Sequence, residues 1–91
     1  MPNPTHKPPE QLASDLEAAK EQVPIGSEWA HYKTQNLYKI IGHVIDADLD
    51  EAGVIYQAQY GDHLPWFHTL SAWMETVEWE GKKVRRFTKV D

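Results

Sequence analysis

The sequence predicts a small, mainly β, antiparallel domain preceded by one α-helix, and three observations predict it. The spacing of apolar residues changes from a helical period to a period of two near residue 29. All ten aromatic residues lie between Trp29 and Phe87, leaving the first twenty-eight positions without a ring. Short alternating runs are separated by Gly, Asn, Asp and Pro clusters of the kind that turn a chain. Residues 1–25 therefore read as a Pro-rich arm and amphipathic helix, and residues 26–91 as the β domain.

Residues 1–9 contain four prolines and read as an extended arm. Residues 10–22 read as a helix. Pro9 suits its first turn, Glu10 and Asp15 lie toward its start, and Lys20 lies toward its end, as the helix dipole prefers. Leu12, Leu16, Ala19 and Val23 fall on one face. Pro24 and Gly26 stop the helix. A helix of about thirteen residues is marginal alone, so this stripe is expected to pack on the β domain, with packing on a partner or fraying in solution as the alternatives.

Residues 29–33 read as a short first strand. Residues 37–46 form the longest strand, with Tyr38, Ile40, Gly42 and Val44 on one face and Leu37, Ile41 and Ile45 on the other. Apolar residues on both faces suggest a strand covered on both sides for part of its length. Residues 54–60 alternate cleanly, with Val54, Tyr56, Ala58 and Tyr60 on one side. Residues 66–68 follow as a short strand or an extended link, and residues 70–74 as one helical or 3₁₀ turn bringing Leu70, Trp73 and Met74 inward. Residues 75–80 and 83–90 flank Gly81 as a hairpin, with Val77 and Trp79 inward, and Tyr38, Tyr56, Trp73, Trp79 and Phe87 fit core-facing phases. About five short strands favour an SH3-like or barrel-like arrangement, because closure protects strand edges.

Composition narrows the function classes. A chain of 91 residues holds one modest core. It has no apolar run of the ~18 residues a membrane span requires and no apolar stretch in residues 1–9 for a secretory signal. Without cysteine there is neither a disulfide framework nor a thiolate site, which favours the cytoplasm. The net charge of −5 argues against general nucleic-acid binding. No cofactor is implied by any motif.

Several segments resemble a known family: Gly26-Ser-Glu-Trp-Ala-His-Tyr-Lys33, Asn36-Leu-Tyr38, Val54-Ile-Tyr-Gln-Ala-Gln-Tyr-Gly-Asp62, then Trp66-Phe-His-Thr-Leu70 and Glu75. Together they are similar to the bacterial domain-of-unknown-function family 1653, across roughly residues 26–90. The resemblance implies a compact β-rich fold in a bacterial intracellular protein, and it brings no catalytic residues. The chain departs from the family pattern after Trp66, where His68 and Thr69 stand in place of an expected arginine and a proline beyond it. An anion held by such an arginine would be held by His68 only when protonated.

The candidate sites follow from side-chain chemistry. Asp46, Asp48 and Asp50 open like a calcium loop, but Glu51 replaces the turning glycine and Gln57 the bidentate glutamate, so these residues read as a hairpin loop ending at Gly53. His31, His63 and His68 are the alternative metal set, for a hydrolase, although their spacing aims no three of them at one ion. Ser71 has no nucleophile elbow around it. Lys82, Lys83, Arg85, Arg86 and Lys89 make a basic arm. That arm reads as a charged edge strand, as a single-strand nucleic-acid surface, or as a contact for the acidic 46–51 loop of a second copy in weak self-association. The favoured site is an aromatic-lined surface built from Tyr32, Tyr60, Asp62, His63, Trp66 and His68, because rings and ionisable groups crowd one strand end and the following loop. That surface points to a non-enzymatic module for a protein or small ligand.

Overall fold

A computed structural model describes residues 6–90. Helix α1, Pro9–Gln22, is followed by strands β1 (Glu28–His31), β2 (Leu37–Asp46), β3 (Glu51–Ala58) and β4 (Pro65–Thr69). A short helix α2 (Leu70–Trp73) leads to β5 (Thr76–Trp79), β6 (Lys82–Arg85) and β7 (Phe87–Val90). Five strands form one antiparallel sheet in the order β4-β3-β2-β1-β7, while β5 and β6 form a separate hairpin. Among the described residues no helix is long and apolar enough to cross a membrane.

The fold is mainly β, as expected, but it has seven strands and the sheet does not close. The run expected as one strand over 83–90 breaks at Arg86. There the Arg86 backbone N–H bonds the Glu75 carbonyl at 2.9 Å, and its own carbonyl accepts the Tyr32 N–H at 3.0 Å. The chain thus leaves the hairpin and joins β1. Edge strands β4 and β7 stay unpaired to each other, with the rings of His68, Trp73 and Phe87 lying between them. The sheet curls instead of closing. A flat sheet would put its edges roughly 19 Å apart at ~4.8 Å per strand, yet His68 on β4 and Phe87 on β7 have ring centres 5.9 Å apart.

The concave face holds the core, made of Val23, Trp29, Ile40, Val54, Tyr56, Trp73 and Phe87. Helix α1 packs its predicted stripe here: Ala19 and Val23 are fully buried, and Leu12 and Leu16 partly so. Its last turn is tied to the sheet by His43, whose Nε2 donates to the Val23 carbonyl at 2.6 Å.

Strand β2 corrects the expected phase. Ile40 pairs with Tyr56 but Gly42 pairs with Ile55, so Ile41 is an extra, bulged residue. Beyond it the faces exchange. His43 and Ile45, opposite buried Val54 and Ala52, turn inward, and Val44 turns outward. The apolar residues on both faces of this strand reflect that reversal. The convex face carries Leu37, Ile41, Val44 and Phe67, all exposed.

The 46–51 segment also differs from expectation. The turn ends at Asp50, and Gly53 lies inside β3. Asp46 Oδ1 accepts the Asp48 and Leu49 N–H groups at 2.9 and 3.1 Å, fixing the turn. Asp50, only 8% exposed, receives the Lys7 N–H at 2.7 Å and the His6 ring Nδ1. These bonds fasten the arm to the sheet. Burial by itself would raise the Asp50 pKa, but the Lys7 amide and His6 outweigh it and hold the carboxyl below its ordinary value.

Two predictions follow from this packing. A Cβ at Gly53 would meet Phe67 Cζ at 2.6 Å and the His68 carbonyl oxygen at 2.8 Å. Gly53→Ala should therefore cost about 1–3 kcal/mol by urea unfolding, as overpacked sites do; an unchanged midpoint would contradict the contact. Because the folded Asp50 pKa is depressed, its stabilisation is present above the unfolded value of about 4 and lost as pH falls through the folded value. Asp50→Asn should lower the thermal midpoint at pH 7, and the gap to the wild type should close below about pH 4.

Candidate functional site

The curl leaves a half-open cavity of about 200 Å³ on the concave face. His31 from β1, Tyr38 from β2, Tyr56 from β3 and Phe87 from β7 form its depth. Trp66 and His68 from β4, with Tyr60 just past β3, complete it. Two larger hollows, about 470 and 540 Å³, run beside α1. Their walls are the arm, the helix and the acidic turn, and neither gathers rings and titratable groups as this cavity does.

Register explains the assembly. Tyr56 pairs with Ile40 on one side and Trp66 on the other, so all three share the concave face. His31 pairs with Phe87 at the far end of the sheet, and curling brings that pair over to β4. Tyr56 packs edge-on against Tyr38 and Phe87 and parallel to His68, with centroids 5.2, 5.6 and 5.5 Å away. The Tyr38 and Tyr60 hydroxyls meet at 2.6 Å. Trp66 and Tyr60 stand at the rim, 52% and 43% exposed.

The site is polar but uncharged at neutral pH. Burial first, then the nearby Arg86 charge, lowers the His68 pKa; His31 lowers it further and Glu75 opposes. His31 is lowered in the same way, by burial, Arg86 and Lys33. Its Nδ1 accepts the Lys33 N–H at 3.2 Å, which leaves the proton of the neutral ring on Nε2. Burial pushes the Tyr56 hydroxyl up to about 12, with Arg86 opposing and Tyr60 adding. Burial and the bond to Tyr60 push Tyr38 up as well.

Of the six residues expected to form the site, Tyr60, Trp66 and His68 line this cavity. Asp62 lines only a small adjoining hollow of about 80 Å³, shared with Tyr60 and Trp66. His63 lies in the turn with φ +55°, its carbonyl accepting Gln57 Nε2 at 3.1 Å. Tyr32 stands outside the cavity, packed against His31 and edge-on to Trp79. Tyr38, Tyr56 and Phe87, read from the sequence as core, are cavity wall as well. Of the alternative metal set, His31 and His68 come together and His63 does not. Among the described residues no three His, Asp or Glu side chains lie close enough to hold a metal ion. Ser71 lies outside the cavity wall, its hydroxyl 3.4 Å from the Thr69 hydroxyl and its backbone N–H bonded to Glu51 at 2.9 Å.

The basic arm divides into two parts. Arg86 Nε donates to the Ala72 carbonyl at 3.1 Å and its guanidinium pairs with Glu75 at 3.3 Å, so it braces α2 and sets the field at the cavity. Arg85 lies against Met74 Sδ at 3.3 Å. Lys82, Lys83 and Lys89 are exposed, and among the described residues they make no ion pair.

A lowered folded-state histidine pKa means the unfolded chain takes up the proton first as pH falls. The histidine contribution to stability should be constant above about pH 7 and decline as pH drops through the unfolded value near 6.5 toward the folded one. The His68 ring protons should titrate below 6.5 by NMR, and His68→Gln should flatten part of the decline, His31 supplying the rest. A midpoint at or above 6.5 would contradict the buried, Arg86-facing placement.

No curated protein and no solved structure matches the chain significantly. The family model described as "Protein of unknown function (DUF1653)" matches residues 27–89, which includes the hairpin and all of the five-stranded sheet but its last residue, Val90, and does not include α1. With well over half its length covered by that model, the chain belongs to the DUF1653 family.

Proposed function

We propose that this protein is a non-enzymatic binding module whose site is the concave-face cavity, and that the cavity takes one uncharged, ring-sized group. The observation that carries this reading is a wall made of aromatic faces and neutral polar edges, with Trp66 and Tyr60 half open at its rim. A half-exposed indole beside an aromatic recess supplies flat contact area at small entropic cost. A volume of about 200 Å³ is below the ~300–1,000 Å³ of sites for drug-sized molecules, so the occupant is a single ring system or one side group of a larger partner. Arg86 disfavours a cationic occupant, which separates this site from a methyl-ammonium cage. The bacterial, cytoplasmic setting implied by the family resemblance belongs to the same proposal.

The test is a ¹H–¹⁵N NMR titration of the full chain with benzamide, phenol and tetramethylammonium. Benzamide and phenol should shift the resonances of Tyr60, Trp66 and His68, and tetramethylammonium should leave them in place. Trp66→Ala should remove the shifts at a stability cost of about 1 kcal/mol, since half the ring is already in water. Silence with all three probes, or a response to the cation alone, would refute the reading.

A further inference from the structure

We infer that the ring this cavity accepts is a nucleobase, carried by a free nucleotide or splayed out of a single strand. The inference rests on the binding-module reading above and names its ligand class. Three features of the cavity favour a base over a plain aromatic or aliphatic side chain.

The first is the pattern of unused hydrogen-bonding groups. The Tyr38–Tyr60 pair shares one hydroxyl hydrogen between two oxygens, leaving the second hydrogen free to donate. Neutral His31 keeps its proton on Nε2 because Nδ1 is already accepting. The Tyr56 hydroxyl and the His68 ring nitrogens make no hydrogen bond among the described residues, so His68 brings both a donor and an acceptor. A phenyl or aliphatic occupant would cover these groups without replacing their bonds to water, a loss of the kind that lets polar sites reject apolar analogues. A base offers donors and acceptors along its edges.

The second is the rim. Trp66 is 52% exposed and stacks on no other ring among the described residues, so its face is free for a base. Unpaired bases are commonly recognised by stacking on such a ring while their edges are read by hydrogen bonds.

The third is the surrounding charge. Lys33 and Arg86 lie close enough to His31 to act on it, with Glu75 as the opposing charge near His68. A phosphate attached to the base meets a mildly favourable field on that side. The chain's net charge of −5 keeps this contribution small, so the base and not the backbone supplies most of the affinity.

The experiment is the same NMR titration, run with the four ribonucleosides, their 5′-monophosphates and single-stranded octanucleotides, at low and moderate salt. At least one base should shift Trp66, Tyr60 and His68 together, and Trp66→Ala should weaken that binding roughly tenfold. His68→Phe keeps a ring but removes both nitrogens, and should weaken nucleoside binding by a larger factor than it weakens phenol binding. An octanucleotide that binds more tightly than its mononucleotide, and loses that advantage with salt, identifies a strand as the source. Equal affinity identifies the free nucleotide. If phenol and benzamide bind but no nucleoside, nucleotide or octanucleotide does, the nucleobase assignment is overturned and the binding-module reading stands. If nothing binds, both fall.

Discussion

Trp73 lies flat on Phe87, ring centres 3.8 Å apart and planes within 7°, and the shape of the protein depends on that contact. One ring comes from the helical turn after edge strand β4, the other from edge strand β7. Joining them draws the sheet into a curve, and the curve creates both the core and the recess beside it. Tyr56 and Trp29 lean edge-on against Trp73 at 4.9 and 5.6 Å, adding aromatic contacts worth ~0.5–1.5 kcal/mol each beyond simple burial. The arrangement carries a cost, because among the described residues the buried Trp73 Nε1 has no hydrogen-bond partner, a loss of about 1–3 kcal/mol.

Arg86 links this core to the chemistry of the cavity. It immediately precedes Phe87 and ends the hairpin strand. Its guanidinium reaches the Ala72 carbonyl and Glu75, which holds α2, and therefore Trp73, in place. The same charge helps to keep His31 and His68 neutral. One residue thus braces the stack and sets the protonation of the groups nearest to it. The cavity is polar without being charged because of both burial and this neighbour.

Part of the cavity wall could be read from the residues in order. Tyr60, Trp66 and His68 stand out because rings and titratable groups crowd into a strand end, where a turn needs neither. Asp62 and His63 belong to the same crowded stretch, but neither lines the cavity. Tyr38, Tyr56 and Phe87 were legible as inward-facing residues, and so as core, because a period of two reports a face and nothing more. Whether that face ends in packed interior or open recess depends on curvature. His31 gave a weaker signal still, since its approach to His68 crosses the whole width of the sheet.

The sequence by itself determined the local structure: a helix from its amphipathic stripe ended by Pro24 and Gly26, strands from their alternation, a hairpin at Gly81, and a core rich in aromatic residues. These follow from interactions between near neighbours, which act before the chain has a tertiary fold. It did not reveal the bulge at Ile41, which reverses the phase of β2 beyond Ile40, nor the break at Arg86 that sends β7 to β1. Those features arise from pairing between distant segments, where one extra residue turns every later side chain to the other face. The cavity is of the same kind. Its walls come from all five strands of the sheet and the turn after β3, and only the curl enforced by Trp73 and Phe87 makes them neighbours.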